Sequence, residues 1–344
     1  MKMKIRIEKE LAAYVKNIDK LYPLNELSPL LFKNIKEFIC RDGKRVRPVL
    51  FCIGYLGFSK KIPPGLYRSA LSLELLHDFM LVHDDIIDNS DTRRGAPSMH
   101  VLLNRYLRPK KKAKFNGEDL TIVAGDVMYA MGLDAFLSVK ENMYRKEAAL
   151  KKLISAVLYT GSGEFIELLL GIKPLEKTTQ KDIYKIYDYK TAHYTFATPL
   201  TMGATLAGAK TNQIKRLLSY GLLLGRAFQI KDDIIGTFGE EKRFGKSNLT
   251  DIKEAKRTLL IWYAFNHADK KGRKTIKKIM EGESISNADL LKMRKLITDT
   301  GALAYAKNQI KYLFLKSKKQ IYGLNMIKRY KQTLDNFSQE ILKT

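Results

Sequence analysis

Apolar residues recur three and four positions apart along nearly the whole chain, the pattern of helices with one buried face. We find no strand-length stretches of alternating apolar and polar residues with hairpin turns, and no linker between regions of different composition. We therefore expect one all-α domain over residues 1–344. The predicted helices span residues 1–21, 30–41, 46–56, 66–88, 120–139, 145–170, 181–209 and 213–238, followed by four or five shorter amphipathic helices.

Several segments depart from the helical pattern. We expect the glycines at 161 and 163 to interrupt the helix over 145–170, and Lys190-Thr191 to distort the helix over 181–209. Loops are expected where polar residues and glycines accumulate, at residues 89–100, 108–118 and 239–250. The second of these carries Lys110 to Lys112 and is predicted to be an exposed insertion.

Composition narrows the class of protein. Apolar residues make up 45% of the chain, as in globular proteins, and two cysteines provide neither a disulfide framework nor a zinc pattern. The first residues lack an apolar signal region, and no apolar run is expected to reach membrane-spanning length. The net charge of +26 is compatible with nucleic acid, an anionic membrane surface or phosphate-rich substrates. The two cysteines fit a reducing compartment, so we predict a cytoplasmic protein, with at most peripheral membrane contact. Nucleic-acid motifs are absent, so we predict no nucleic acid partner.

Two helices carry matching acid clusters. Asp84 and Asp88 are one helical turn apart with Asp85 beside them, and Asp232 and Asp233 repeat the DDII pattern of the first cluster. Carboxylates this close repel each other, and the helix dipole disfavours anions where the first helix ends. Solvated helix ends are the alternative interpretation, but isoleucines flank both pairs. The pattern favours a site for a hard cation with oxygen ligands, above all Mg²⁺.

Cationic and neutral polar residues accompany the acids. Lys44 and Arg47 follow a glycine at the start of an apolar helix, where backbone amides and fixed cations together favour an anion. His77 lies seven residues before Asp84 on nearly the same helix face, although a lone histidine there is more often a packed core residue. Further candidates near the two clusters are Arg93, Arg94, Lys190, Thr191, Gln229, Lys246 and Lys256.

Taken together, these residues resemble a known family. The motifs GKRVRP, His77, LVHDDIID, TRRGAPSMH, AGD at 124–126, YKTA at 189–192 and FQIKDDIIGTFGEEKRFGKSNLTDIKEAKRT occur in the order found in the trans-isoprenyl diphosphate synthases, the farnesyl and geranylgeranyl diphosphate synthases. The resemblance covers residues from about 40 to 260. It implies an all-α helical bundle of the isoprenoid-synthase type with a central cavity, which condenses isopentenyl diphosphate with allylic diphosphates. It also implies a homodimer.

The resemblance assigns roles to individual residues. It implies that Mg²⁺, as three ions, is held by the acid clusters Asp84, Asp85, Asp88, Asp232 and Asp233. Isopentenyl diphosphate would contact Lys44, Arg47, His77 and Arg94. The allylic diphosphate would contact Arg93, Lys190, Lys246 and Lys256. Oxygen dipoles facing the carbocation would come from Lys190, Thr191 and Gln229.

Two positions depart from the family pattern, and two bear on product length. Gly236 stands where the second motif usually has its third aspartate, and Asp42 replaces the first glycine of the usual GGKR. Phe79 lies five residues before the first motif, at the family's chain-length position, with Met80 one turn below Asp84. These residues and the absence of an insertion in the first motif favour geranylgeranyl diphosphate or farnesyl diphosphate as product.

Other functions fit part of the pattern. A class I terpene cyclase or a head-to-head condensing synthase of the squalene type would share the acid motifs but would not need Lys44 and Arg47 for a second diphosphate. A non-catalytic partner of a heteromeric prenyl synthase tends to lose aspartates of the first cluster, whereas this chain keeps Asp84, Asp85 and Asp88. A nucleic-acid binder would bind in a salt-sensitive manner and turn over no diphosphate.

Overall fold

Helices form almost all of the regular structure in the computed structural model, which describes residues 2–110, 113–239, 256–282 and 285–342. The first half contains α1 Lys2–Leu21, α2 Leu24–Leu27, α3 Pro29–Ile39, α4 Val46–Leu56, α5 Leu66–Ile87, α6 Met99–Leu107, α7 Gly117–Leu137 and α8 Met143–Ile172. A short 3₁₀ turn, Leu175–Lys177, leads to α9 Gln180–Ile186, a π-helical segment Tyr187–Ala197, α10 Thr198–Leu206 and α11 Thr211–Phe238. After the segment 240–255 come α12 Leu259–His267, α13 Lys270–Met280, α14 Asn287–Asp299, α15 Ala302–Tyr322 and α16 Lys328–Leu342.

Local sequence explains where several helices begin. The Ser28 side chain accepts a hydrogen bond from the first turn of α3, whose first residue is Pro29. Asn116 and Asp119 form a reciprocal capping box at the start of α7. Thr179 and Asp182 form a second one at the start of α9. The polar residues before these apolar runs therefore set the helix starts.

The core lies between helix pairs that cross closely. α5 packs along α7, α11 along both α15 and the π segment, and α4 along α10. Small residues allow the last contact, because a Cβ on Gly54 would collide with the Leu200 carbonyl and one on Gly203 with the Phe51 carbonyl. The largest apolar cluster joins α1, α3, α4, α5, α7 and α8, and a second one joins α11 to α12–α15.

The all-α prediction is confirmed, with three corrections. α8 runs unbroken through Gly161 and Gly163. Gly163 marks a helix crossing and not a break, because an added Cβ there would lie 2.7 Å from the Lys190 backbone nitrogen. The predicted loop over 89–100 holds a small antiparallel hairpin, β1 Thr92–Arg93 with β2 Ala96–Pro97, and the start of α6. The predicted loop over 239–250 lies outside the described residues from residue 240 onward.

The third correction concerns α7 and α8. By length and composition alone, both helices are apolar enough to cross a membrane, contrary to the expectation from the sequence. α7 packs against α5 in the core. α8 is the less buried of the two, with 28% of its apolar window inside the structure. Its composition therefore reflects both a core-facing side and an exposed apolar side.

Candidate functional site

A cavity of about 780 Å³ lies where α5, α8, the π segment and α11 meet. It brings together most of the residues singled out in the sequence: Arg47, His77, Phe79, Met80, Asp84, Asp88, Lys190, Thr191, Gln229, Asp232, Asp233 and Lys256. Four predicted site residues lie outside its lining, namely Lys44, Asp85, Arg93 and Arg94. Lys246 falls outside the described residues.

The two acid helices are linked by one stretch of the π segment. Lys190 Nζ lies 3.9 Å from Asp84 Oδ1 on α5. The next residue, Thr191, donates a hydrogen bond of 2.6 Å to Gln229 Oε1 on α11. Gly225 allows this approach, because a Cβ there would collide with Ala192 of the π segment. Acids of both DDII motifs therefore line one cavity.

Asp84 and Asp85 point to different surroundings although they are adjacent. The Asp84 side chain retains 25% of its exposure and lines the cavity. Asp85 is fully buried and accepts a 2.6 Å hydrogen bond from Arg93 Nε. Burial alone would lower the pKa of Arg93, but the bond to Asp85 and the charges of Asp85, Asp84 and Asp88 raise it. Asp85 thus fixes Arg93 beside the cavity, and we narrow the candidate metal ligands on α5 to Asp84 and Asp88.

Two glutamates on α8 belong to the site but were missed in the sequence. Lys190 Nζ lies 2.5 Å from Glu164 Oε2 and forms a second short ion pair with Glu167. Burial raises the pKa of Glu164, against the opposing effect of Lys190. The available signal was the spacing of three residues between these glutamates, which places them on one helix face beside Gly163.

The donor groups of the cavity suit a hard cation. Carboxylates outnumber cationic side chains in the lining, which contains Asp84, Asp88, Glu164, Glu167, Asp232 and Asp233 against Arg47, Lys190, Lys256 and Arg257. Lys256 lies 3.8 Å from Asp88 Oδ2. Within the described residues, no three His, Cys, Asp or Glu side chains already form a metal cluster. The carboxylate oxygens of the lining fit Mg²⁺, which proteins usually hold with one or two carboxylates while waters and phosphates supply the other ligands.

A cationic group, formed by Arg47 in the first turn of α4 and Arg94 in the β1–β2 hairpin, acts on His77 in the middle of α5. Arg47 Nη2 donates a 2.8 Å hydrogen bond to Thr195 Oγ1, and its guanidinium lies 4.3 Å from the centre of the Tyr194 ring. Burial, together with Arg47 and Arg94, lowers the pKa of His77 well below its usual range. His77 is therefore a neutral imidazole near neutral pH, and the fixed positive charges here come from arginine.

Arg94 is held in place by buried acids. Its Nη2 lies 3.0 Å from Asp78 Oδ1 and 3.3 Å from Glu74 Oε1. Its backbone has a φ of +54°, which is strained for a residue with a Cβ. Glu74 also pairs at 2.7 Å with the fully buried Arg45. Arg45 is thus a structural cation within the basic motif, whereas Arg47 faces the cavity.

Phe79 closes part of the cavity wall between α5 and α7. Its ring packs edge-on against His83 at 4.7 Å and Tyr129 at 5.4 Å between centroids. Phe79 and Met80 both line the cavity, on the same helix as Asp84. An apolar molecule whose charged end lay at Asp84 would therefore meet an aromatic wall further along α5.

The chain is similar in sequence to known proteins over most of its length. The polyprenyl synthetase family model matches residues 28–297. A short chain isoprenyl diphosphate synthase of Methanocaldococcus jannaschii is 29% identical over 303 residues, 88% of this chain and 83% of the relative. A geranylfarnesyl diphosphate synthase of Aeropyrum pernix is 32% identical over 288 residues, 80% of this chain and 82% of the relative.

Solved structures share the fold over nearly the whole chain. Geranylgeranyl pyrophosphate synthase from Corynebacterium glutamicum, in complex with isoprenyl diphosphate and magnesium, superposes with a TM-score of 0.89. It is 26% identical, and the match covers 99% of this chain and 98% of that one. Decaprenyl diphosphate synthase from Rhodobacter capsulatus superposes with a TM-score of 0.80 at 24% identity, covering 98% of each chain, and shows the shared fold alone.

Proposed function

Because the chain belongs to the polyprenyl synthetase family and is a trans-prenyltransferase, we propose that it condenses isopentenyl diphosphate with dimethylallyl, geranyl or farnesyl diphosphate. The proposed product is geranylgeranyl diphosphate or farnesyl diphosphate. The observation that carries this proposal is one cavity lined by the acids of two helices and by Arg47 and His77. Such a cavity can hold a metal-bound diphosphate and a second anion at once.

We propose that Asp84, Asp88 and Asp232 hold Mg²⁺, as three ions, in this cavity. When bound, Mg²⁺ neutralises the negative charge that develops on a departing diphosphate. The chain's own cations, Lys190 and Lys256, lie within 4 Å of these acids and would bind the same diphosphate. Arg93 would bind it from beside Asp84, and Lys246 stays a prediction from the sequence.

The second diphosphate would bind at the cationic group. We propose that Arg47, His77 and Arg94 contact isopentenyl diphosphate, with Lys44 at the exposed edge of that site. Within the described residues, Arg47 Nε and Arg94 Nη1 are buried donors without a hydrogen-bond acceptor in the structure. Buried donors left without acceptors cost free energy, so an anion that accepts from them would bind favourably.

The proposed reaction breaks the allylic C–O bond, and diphosphate leaves with the electron pair. The isopentenyl double bond attacks the resulting cation, and the released diphosphate accepts the proton that is lost. Thr191, Gln229 and the Lys190 carbonyl are the oxygen dipoles that we assign to stabilising the cation. Apolar residues of α5 and α8, among them Phe79, Met80 and Leu168, exclude water from it.

This proposal is distinguished from its competitors by the second anion site. A terpene cyclase or squalene-type synthase has no need for a fixed Arg47 beside a neutral His77. A non-catalytic subunit is disfavoured because the first cluster keeps Asp84, Asp85 and Asp88, and Asp84 and Asp88 line the cavity. The decisive experiment is chromatographic product analysis after incubation with isopentenyl diphosphate, each allylic primer and Mg²⁺. Cyclic products, or turnover of allylic diphosphate without isopentenyl diphosphate, would overturn the proposal.

Product length provides a more specific expectation. We expect Phe79→Ala to lengthen the product by one or more isoprene units while activity persists, because the aromatic wall recedes. Phe32→Ala is the matched control, since Phe32 is buried in the core outside the cavity lining. It should cost roughly 3–5 kcal/mol of stability and leave the products unchanged. An active Phe79→Ala enzyme with the product distribution of the wild type would rule out this role.

An exposed apolar stripe along α8 supports the proposed homodimer. Leu158, Phe165, Leu169 and Ile172 are 64%, 65%, 52% and 83% exposed. Monomeric proteins rarely expose a contiguous apolar stripe of this kind. Phe165 also lines the cavity, so a second copy packed on α8 would complete the cavity wall. We propose that the occupant is the same face of a second chain.

Hydrodynamic measurements test this interface. We expect the wild type to sediment as a dimer at micromolar concentration, and Leu158→Glu/Leu169→Glu to sediment as a monomer, because both side chains lie on the stripe outside the cavity lining. Lys292→Glu is the control for added negative charge, because the Lys292 side chain is 62% exposed and lies on α14, away from the stripe. A monomeric wild type, or a double variant that stays dimeric, would contradict the assignment.

A further inference from the structure

Tyr187 is a buried tyrosine for which the proposed reaction has so far no use. It is the first residue of the π segment and is 4% exposed. Its hydroxyl forms a short hydrogen bond to Asp233 Oδ2 and accepts a 2.9 Å hydrogen bond from the Leu259 backbone N–H. A single phenol oxygen therefore connects the π segment, α11 and the first turn of α12.

The hydrogen bonds continue from Asp233 into the cavity. Gln229 Nε2 donates to Asp233 Oδ1 at 3.0 Å, and Gln229 Oε1 accepts from Thr191 Oγ1 at 2.6 Å. An ionised carboxylate can only accept hydrogen bonds, so it must face the NH₂ side of the Gln229 amide. The amide oxygen is then turned toward Thr191, and both residues line the cavity.

We propose that Tyr187 is a positioning residue that, through Asp233, locks the Gln229 amide with its oxygen toward the reacting carbocation. This inference rests on the proposed function of the cavity. An amide oxygen is the negative end of the group dipole and stabilises a developing cation, whereas the NH₂ end opposes it. Asp233 is 3% exposed, so its orientation depends on protein hydrogen bonds such as the one from Tyr187.

The position of Leu259 adds a second anchor. α12 begins at Leu259, and its first N–H groups have no partner within the helix. By accepting one of them, the Tyr187 oxygen is itself fixed and its proton is directed at Asp233. The preceding residues Lys256, Arg257 and Thr258 line the cavity, so the same bond also ties this wall to the π segment.

Tyr187→Phe tests the inference because it keeps the ring and removes the hydroxyl. We expect kcat to fall about tenfold, the effect of losing one orienting hydrogen bond, with KM for both substrates within about twofold. The matched control is Tyr184→Phe. Tyr184 stacks edge-on with Tyr187 at 6.0 Å, and its hydroxyl bonds to Gln309 outside the cavity. The Tyr184→Phe variant should keep the kcat of the wild type.

A double-mutant cycle separates positioning from a purely structural role. If Tyr187 acts through Gln229, then Gln229→Ala/Tyr187→Phe has the same kcat as Gln229→Ala alone. Additive losses, or a normal kcat in Tyr187→Phe, overturn the inference. A wild type that forms no prenyl diphosphate overturns the proposed function instead, so the two failures are distinguishable.

A measurement on the wild type covers the case in which Tyr187→Phe does not fold. In protein labelled with ¹⁵N-glutamine, a locked Gln229 gives two separate, slowly exchanging side-chain amide protons, identified by their loss in Gln229→Ala. Retention of these signals for minutes in D₂O supports the lock. Complete exchange within the dead time, as for an exposed glutamine, overturns it.

Discussion

We expect Asp84→Ala to lower turnover by a factor on the order of a hundred or more, while the protein stays folded. The loss is large because Asp84 is the acid of α5 that both lines the cavity and lies beside Lys190. Without Asp84, the negative charge that develops on the departing diphosphate is less well neutralised as the C–O bond breaks. Chelation of Mg²⁺ should abolish both the activity of the wild type and the residual activity of the variant.

Folding is expected to be insensitive to this change. Lys190 keeps its ion pairs with Glu164 and Glu167, and removing one carboxylate relieves repulsion within an acid-rich cavity. The matched control is Glu147→Ala, which removes an exposed carboxylate on α8 that pairs with Lys151. Rates would be measured by product formation at saturating Mg²⁺, with circular dichroism as the check on folding. Near-normal turnover in a folded Asp84→Ala protein would exclude this site.

The acid clusters could be found from the sequence because helical periodicity determines which side chains share a face. Asp84 and Asp88 are four residues apart, and both line the cavity. Periodicity does not determine what the residue between them contacts. Asp85 turns to Arg93 because the β1–β2 hairpin brings Arg93 back against α5. That contact depends on the backbone of the loop, including the positive φ of Arg94.

Contacts between distant segments explain what the sequence could not reveal. Glu164, Glu167 and Tyr187 enter the site only because α8 and the π segment cross at Gly163. In the sequence, Gly161 and Gly163 resemble a helix break, since glycine is unfavourable inside helices. The structure uses Gly163 for close approach instead, and the packing of the two helices outweighs its low helix propensity. A single sequence carries no signal that separates these two uses of glycine.

The residues of the cationic group were found in the sequence, but their separate roles were not. In the sequence, Lys44, Arg45 and Arg47 form one basic motif, GKRVRP. In the structure, the side chains of Arg45 and Arg47 point to different surroundings. Arg45 is directed into the core, where Glu8 and Glu74 neutralise it. Arg47 lies two residues further on and faces the cavity. Charge alone could not distinguish the two arginines, because the difference arises from the left-handed backbone at Arg45, where the helix begins.

Arg47→Ala should therefore raise KM for isopentenyl diphosphate by about thirtyfold or more, and KM for the allylic substrate by no more than about twofold. Arg47 is already oriented, by its bond to Thr195 and by the Tyr194 ring, before any ligand binds. The buried Nε of Arg47 is a further donor, with no hydrogen-bond acceptor in the structure. Truncation removes a charge-assisted contact to one substrate only, since the cations near Asp84 and Asp88 are Arg93, Lys190 and Lys256.

Steady-state kinetics with each substrate varied at saturating concentration of the other would measure this selectivity. Arg68→Ala is the control for loss of a positive charge, because Arg68 forms a half-exposed pair with Glu10 outside the cavity lining. An Arg47→Lys variant should recover part of the affinity for isopentenyl diphosphate that Arg47→Ala loses, since lysine restores the charge without the planar guanidinium of arginine. Equal increases in KM for both substrates would show that Arg47 acts on the cavity as a whole, and the assignment of two separate diphosphate sites would then fail.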